Sequence, residues 1–224
     1  MSAIKTLQIS FTNEIENHEI PLLRGAIIHS LENKLPLFHN HTPNGFRYSY
    51  PMILYKRIRK KANLLCLGEG VEQVGEFFAT ANHAVKLGQR EVNLEIENIT
   101  PQQFRVQVWD DTFYYRMRKW IPLNSTNYEE YMQLESLTSK IQFLERILIG
   151  NILSFAKGMN IFFEETIACT ISNIIGQREI KHKGVKFLAF DIDFTSNVSL
   201  PNYIGLGKGV SLNFGTITQF RPKG

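Results

Sequence analysis

Apolar and polar residues alternate along AIKTLQISF at 3–11, the pattern of a strand with one buried face. Pro21 then opens PLLRGAIIHSLEN, where Leu22, Leu23, Ala26, Ile27 and Leu31 recur at helical spacing. A strand is predicted over FRYSYPMILYKRI, ending at residue 58, and another over LLCLGEG, stopped by a Gly turn. VEQVGEFFATANHAVKL returns to helical spacing. Strand, helix, strand, strand, helix is most of a split βαβ unit, the ferredoxin-like plan. The pattern restarts near residue 90. REVNLEIENITP and FRVQVW read as strands, and FYYRMRKWIPL alternates so that Tyr114, Arg116, Arg118 and Trp120 share a face. Two helices are predicted over 127–158, the second with an apolar stripe of Ile141, Leu144, Leu148, Ile152 and Phe155. IACTISNII and VKFLAFDIDFTS are further strands. The expected fold is α+β, two tandem ferredoxin-like (RRM-like) domains, 1–90 and 91–224, with Gly88 and the polar stretch after it as the boundary.

Composition narrows the classes. Hydrophobic residues are 43% and charged residues 21%, ordinary for a globular chain. A net charge of +4 permits a polyanionic partner without requiring one. Cys66 and Cys169 stand far apart, outside any metal-type spacing, as suits a reducing compartment. The start, MSAIKTLQISF, lacks a signal-peptide pattern, and the most apolar window is interrupted by Glu145, Arg146, Asn151 and Lys157. A cytoplasmic protein with no membrane partner is expected.

Three features invite chemistry. PLFHNHTPNGFRYSY, residues 36–50, carries His39 and His41 one residue apart. The pair reads as an acid–base pair, a metal site or surface decoration; companions at metal-ligand spacing are missing, so no metal is expected. Basic residues gather in KRIRKK (Lys56, Arg57, Arg59, Lys60, Lys61), in YYRMRKW (Arg116, Arg118) and in REIKHKGVK (Arg178, Lys181, Lys183, Lys186). Charge runs are usually solvated faces, whereas arginines alternating with aromatics on one strand face also suit phosphates and unpaired bases. Last, PNYIGLGKGVSLNFGTI alternates Gly205, Gly207 and Gly209. Such spacing lets backbone approach a ligand closely, or simply closes a sheet with a Gly-rich hairpin. Neither a P-loop nor a dinucleotide fingerprint is present.

IGLGKGVSLNFGTI resembles the C-terminal signature of the CRISPR-associated RNA-binding superfamily built from ferredoxin-like domains: Gly-x-Gly, five residues including a basic one, then Gly-x-Gly. Gly205 and Gly207 form the first pair, Lys208 is the basic residue and Gly215 ends the second. Asn213 replaces the usual penultimate glycine, a mild departure because Asn tolerates left-handed backbone. LRGAIIHSL, FHNH and RYSYPMILYK resemble the subgroup that processes CRISPR repeat transcripts.

That resemblance implies a metal-independent endoribonuclease without cofactors. The ribose 2′-OH attacks the adjacent phosphorus, leaving a 2′,3′-cyclic phosphate and a 5′-OH. Histidine suits both proton transfers because its unperturbed pKa lies near neutrality. The expected roles are His41 as base and His39 as acid or phosphate binder, or the reverse. Tyr48 and Tyr50 would orient the 2′-OH or stack on a base, and Lys56 would face the phosphate. Arg57, Arg59, Arg116, Arg118, Lys181 and Lys183, with Gly205, Gly207, Lys208, Gly209 and Gly215, would bind RNA. Expected partners are CRISPR precursor (repeat) RNA, an effector complex and a second copy in a homodimer. A non-catalytic RNA-binding subunit of the superfamily and a small-molecule enzyme on the same scaffold are the competing readings.

Overall fold

A computed structural model of the chain describes residues 3–31, 36–39, 41–42, 45–46, 50–79, 84–182 and 184–221; at His39 and His41 it describes backbone and not side chain. The chain divides into two compact units, Ala3–Phe104 with Ser211–Asn213, and Arg105–Val210 with the tail from Phe214.

The N-terminal unit runs β1 (Ala3–Glu14), a 3-10 turn (Asn17–Glu19), α1 (Ile20–Ser30), α2 (Pro36–His39), β2 (His41–Thr42), β3 (Gly45–Phe46), β4 (Ile53–Ile58), β5 (Lys61–Leu67), α3 (Glu69–Ala79), β6 (Ala84–Leu87), β7 (Arg90–Asn93) and β8 (Ile96–Arg105). Its main sheet has the order β4-β5-β1-β8, the arrangement of a ferredoxin-like domain. Antiparallel pairing sets Ile9 opposite Leu64 and Leu7 opposite Cys66, and places Tyr55 beside Leu64. These apolar positions are buried with Ile20, Leu23 and Ile27 of α1 and Val74 and Phe77 of α3. Alternation puts Gln8, Ser10, Asn63 and Lys56 on the opposite face of the sheet. β4 and β5 are joined by Arg59 and Lys60, both at positive φ (50° and 69°), as a two-residue type I′ hairpin demands.

The alternation that restarts at residue 90 reads as the opening of a second domain, but the fold divides after Phe104 instead. The reason is topological. A ferredoxin-like sheet needs a fourth strand beside its first, and β8 fills that place next to β1. Likewise FRVQVW is not one strand: β8 ends at Arg105 and the next strand begins at Val108.

The C-terminal unit runs β9 (Val108–Trp120), α4 (Ser125–Gln133), α5 (Leu137–Gly158), β10 (Cys169–His182), β11 (Val185–Val198), a 3-10 turn (Val210–Leu212) and β12 (Thr216–Gln219). Its sheet, β10-β11-β9-β12, repeats the strand order of the first domain. Here residues 199–215, which contain the glycines, replace the second helix of the plan. Both helices are capped by the side chain preceding them: Asn124 accepts the Asn127 N–H at 2.7 Å and Ser136 the Ser139 N–H at 3.0 Å. The core joins Leu144, Leu148, Ile152 and Phe155 of α5 with Tyr115, Met117, Phe190, Ile192 and Phe194 of the sheet. Among the described residues no helix is long and apolar enough to cross a membrane.

One core group is out of place. The Tyr55 hydroxyl is buried and finds no hydrogen-bond partner among the described residues, and desolvation drives its pKa upward. Tyr55→Phe removes an unsatisfied polar atom without changing shape. It is expected to be neutral or to stabilise by about 1 kcal/mol in urea denaturation; a loss of more than about 1 kcal/mol would instead reveal a hydrogen bond through a buried water.

Candidate functional site

His39 ends the single helical turn α2, and His41 begins β2, where it pairs with Phe46. The two therefore do not share one extended segment, and the period-two argument for a common side does not apply to them. Tyr48 lies outside the described residues. Tyr50 is buried at 8% exposure, the packing position expected of an aromatic before Pro51.

Lys56 is the unusual member of the set. It sits in β4 opposite Asn63, with none of its surface exposed. Asn63 in turn accepts hydrogen bonds from Gln8 (3.0 Å) and Ser10 (2.7 Å), so a strip of polar side chains runs across β1 and β5 on the face that carries Lys56. Burial disfavours the ammonium and lowers its pKa to about 7. Lys56 is thus buried in the sheet rather than displayed as a surface phosphate ligand.

The remaining basic run is broken up by the fold. Arg57 donates through Nε to the Ile15 carbonyl and contacts Glu16 at 3.4 Å, tying down the chain after β1. Lys61 pairs with Glu97 at 2.5 Å. Arg59 and Lys60 are left at the exposed hairpin tip.

In the C-terminal sheet the expected Tyr114–Arg116–Arg118–Trp120 face is corrected by a bulge. Between the pairs Ile192–Met117 and Phe190–Trp120, β11 has one residue, Asp191, and β9 has two, Arg118 and Lys119. Lys119 takes φ 51°, and its N–H donates to Asp191 Oδ1 at 2.7 Å. The extra residue flips Trp120 into the core, where it is fully buried and donates to Asn151 at 2.9 Å. Arg116 binds Asp193 through two bonds (2.7 and 2.8 Å) and lies over Phe220 at 5.4 Å. Asp191 also receives Arg178 (3.0 and 3.2 Å) and Arg118 (3.4 Å). Burial pushes the Asp191 carboxyl up, but the Lys119 N–H and the Arg178 guanidinium outweigh it and hold its pKa below the usual value. Three guanidiniums facing two carboxylates leave this face only weakly positive. Asp191 and Asp193 are the residues that sequence reasoning missed. The signal was there, since FDIDF alternates acids with the period that YRMRK gives its arginines.

The glycines meet a geometric need. A Cβ on Gly207 would stand 2.8 Å from the Ile121 carbonyl and 2.9 Å from the Trp120 ring, and its φ is +89°. At Gly215, φ +58°, a Cβ would fall 1.8 Å from the Leu206 carbonyl oxygen. Leu206 N–H donates to the Gly215 carbonyl at 2.9 Å, Lys208 N–H to Ile121 at 3.2 Å, and Gly215 N–H to Lys119 at 3.0 Å, stitching the loop to the end of β9. Tyr115 Oη anchors its start, donating to Val198 (3.0 Å) and accepting from Leu200 (2.8 Å). Asn213 has φ 67°, the left-handed geometry that Asn tolerates. Gly205 bridges to Thr216, and Gly209 also has positive φ (70°). The Lys208 ammonium lies 5.0 Å from the Phe187 ring centroid. Lys181 is exposed near the end of β10, and Lys183 falls outside the described residues. Gly215→Ala is expected to cost about 2–3 kcal/mol, from left-handed strain and overpacking together, measured by denaturant unfolding.

Comparison with known proteins places this arrangement. A protein of Methanocaldococcus jannaschii, MJ0978, itself uncharacterised, is 39% identical over 100 residues, 45% of this chain and 67% of that protein. A crystal structure of Cas6b matches with a TM-score of 0.86 at 25% identity, covering 98% of this chain and 100% of that one. The crystal structure of a CRISPR RNA processing endoribonuclease Cas6b shares the fold, with a TM-score of 0.76 at 24% identity over 98% and 100% of the two chains. The family model of the Cas6b N-terminal domain matches residues 2–105, and that of the Cas6b C-terminal domain matches residues 107–220. Matched in both domains and in their order, the chain belongs to the Cas6b family.

Proposed function

We propose that this protein is an endoribonuclease that cuts CRISPR precursor RNA within the repeat, without a metal ion, to yield guide RNAs. The observation that carries the reading is the match of both Cas6b domains across the chain. A solved protein of the same fold described as a CRISPR RNA processing endoribonuclease supports it.

In the proposed step the 2′ oxygen forms a bond to the adjacent phosphorus while the bond from phosphorus to O5′ breaks. His41 accepts the 2′ proton and His39 protonates the departing O5′, or the two exchange roles. RNA supplies the nucleophile, so the protein contributes proton transfer, alignment and positive charge. Arg59 at the β4–β5 tip, Lys181 near the end of β10 and Lys208 in the glycine-rich loop are the cations proposed to hold the RNA backbone, whereas Arg116 and Arg118, proposed with them as RNA contacts, bring charge already shared with Asp193 and Asp191. The partners proposed are repeat RNA, an effector complex that receives the product, and a second copy of the chain.

The test is cleavage in EDTA of a repeat RNA from the same genome, beside the same RNA with one 2′-deoxy residue at the cut. Cutting to a cyclic phosphate, abolished by the deoxy substitution, is the expected result. Cutting that survives the deoxy substitution overturns the mechanism. Tight binding of the repeat with no cutting would favour a non-catalytic RNA-binding subunit.

A further inference from the structure

The C-terminal domain holds a pocket of about 370 Å³ that none of the proposed chemistry uses. One wall is the beginning of α4, where Ser125, Tyr128 and Glu129 face it; the other is the start of β11, with Phe187 and Leu188. Its size and lining, apolar and aromatic with a few polar groups, are those of a small-ligand site.

Three observations define what fits. First, each wall carries one aromatic ring, Tyr128 on α4 and Phe187 on β11, and Tyr128 remains 44% exposed on a helix whose sequence, STNYEEYMQ, is otherwise largely polar. Two rings lining one pocket from different elements offer a planar group surfaces to stack on. Second, the pocket holds two carboxylates. Glu179 is neutralised by Lys186 at 3.2 Å, whereas Glu129 is exposed and has no ion pair among the described residues. An unneutralised carboxylate only accepts hydrogen bonds, so it repels a phosphate and selects a ligand with N–H donors. Third, cations stand around the pocket. Lys186 lines it, and Lys208 reaches from the glycine-rich loop to the Phe187 ring, 5.0 Å away.

We infer that this pocket binds a single unstacked guanine of the RNA, stacked against Tyr128 and Phe187, with its base edge on Glu129 and a flanking phosphate beside Lys208. Among the four bases guanine alone presents two adjacent donors, N1–H and the N2 amine, matching the two oxygens of a carboxylate. Adenine and cytosine set one amine beside an acceptor nitrogen that the carboxylate repels. A base held here fixes RNA register on the domain that carries the glycine-rich loop, a specificity determinant separate from the histidine segment. The inference rests on the RNA-processing reading for the source of the guanine.

The experiment titrates the isotope-labelled full chain with 5′-GMP, 5′-IMP, 5′-AMP and 5′-CMP and follows backbone amides by NMR. The expected result is a set of shifts confined to Ser125–Glu129 and Val185–Leu188. GMP should bind about tenfold more tightly than AMP, CMP or IMP, which lacks the N2 amine. Glu129→Gln should erase that preference, and Tyr128→Ala should weaken all four by about fivefold or more. The absence of local shifts at millimolar GMP, equal binding of the four nucleotides, or an unchanged preference in Glu129→Gln would each overturn the inference. Repeat-RNA cleavage is measured on the same proteins to separate the two readings. Cleavage without the GMP pattern sinks the pocket alone. The GMP pattern without cleavage leaves a guanine pocket on a protein that does not cut.

Discussion

Alanine at His41 is expected to slow single-turnover cleavage of repeat RNA by about 10²–10⁴-fold, the usual worth of one positioned proton-transfer group. Alanine at His39 should cost a similar factor if the two divide the acid and base roles. The backbone placement makes the substitution informative. His41 contributes to β2 through its pairing with Phe46, which alanine preserves, and His39 lies at the last position of α2. RNA affinity should therefore change by less than about threefold, well below the loss in rate, so that the effect appears in the chemical step. The rate–pH profile adds a second readout. Wild type should show a bell whose limbs belong to the acid and the base, and each variant should lose one limb. Two alanine variants that cut within about threefold of wild type would remove the histidines from the mechanism. Attention would then move to Lys56, whose pKa of about 7 also suits proton transfer.

How far the sequence carried this reading depends on whether a feature is local. Strand alternation in AIKTLQISF and the helical stripe of Ile141–Phe155 are set by near neighbours, and both elements are where periodicity places them. The glycine signature was legible for the same reason, and Asn213 at φ 67° bears out the physical argument for that substitution. What was not legible comes from pairing across the chain. The domain boundary moved because β8 pairs with β1, nearly the whole domain away in sequence. Trp120 changed face because one residue of β11 opposes two of β9, a bulge that alternation alone does not reveal. The Arg116–Arg118 stripe looked like free positive charge because its counter-ions, Asp193 and Asp191, arrive from β11. The lesson for basic stripes on strands is specific: count the acids of matching period elsewhere in the chain before assigning the charge to a nucleic acid.

Lys56→Met should stabilise the protein and, in the same protein, diminish cleavage. The stability half follows from burial. Lys56 has a folded pKa near 7 against 10.5 for the ordinary side chain, because desolvation penalises the ammonium. Between these values the unfolded chain binds a proton that the folded chain has lost, so wild-type stability rises as pH climbs from about 7 towards 10.5 and is lowest below 7. Methionine fills a similar volume and carries no proton, so the variant should lack this slope. The stability of the variant relative to wild type should therefore fall by on the order of 4 kcal/mol as pH rises from about 7 to above 10.5. Urea melts at pH 6, 8 and 10 measure it, and a variant less stable than wild type at pH 6 would show that the ammonium is held by favourable contacts that outweigh its burial. The activity half asks why a sequence keeps such a residue. A buried lysine lowers stability, and sites that do so persist where function needs them. If Lys56 meets the scissile phosphate during the reaction, methionine removes its positive charge, and cleavage should fall by about tenfold or more with the fold intact. A stabilised variant that cuts at the wild-type rate would assign Lys56 to the interior of the N-terminal sheet and leave the phosphate to other cations.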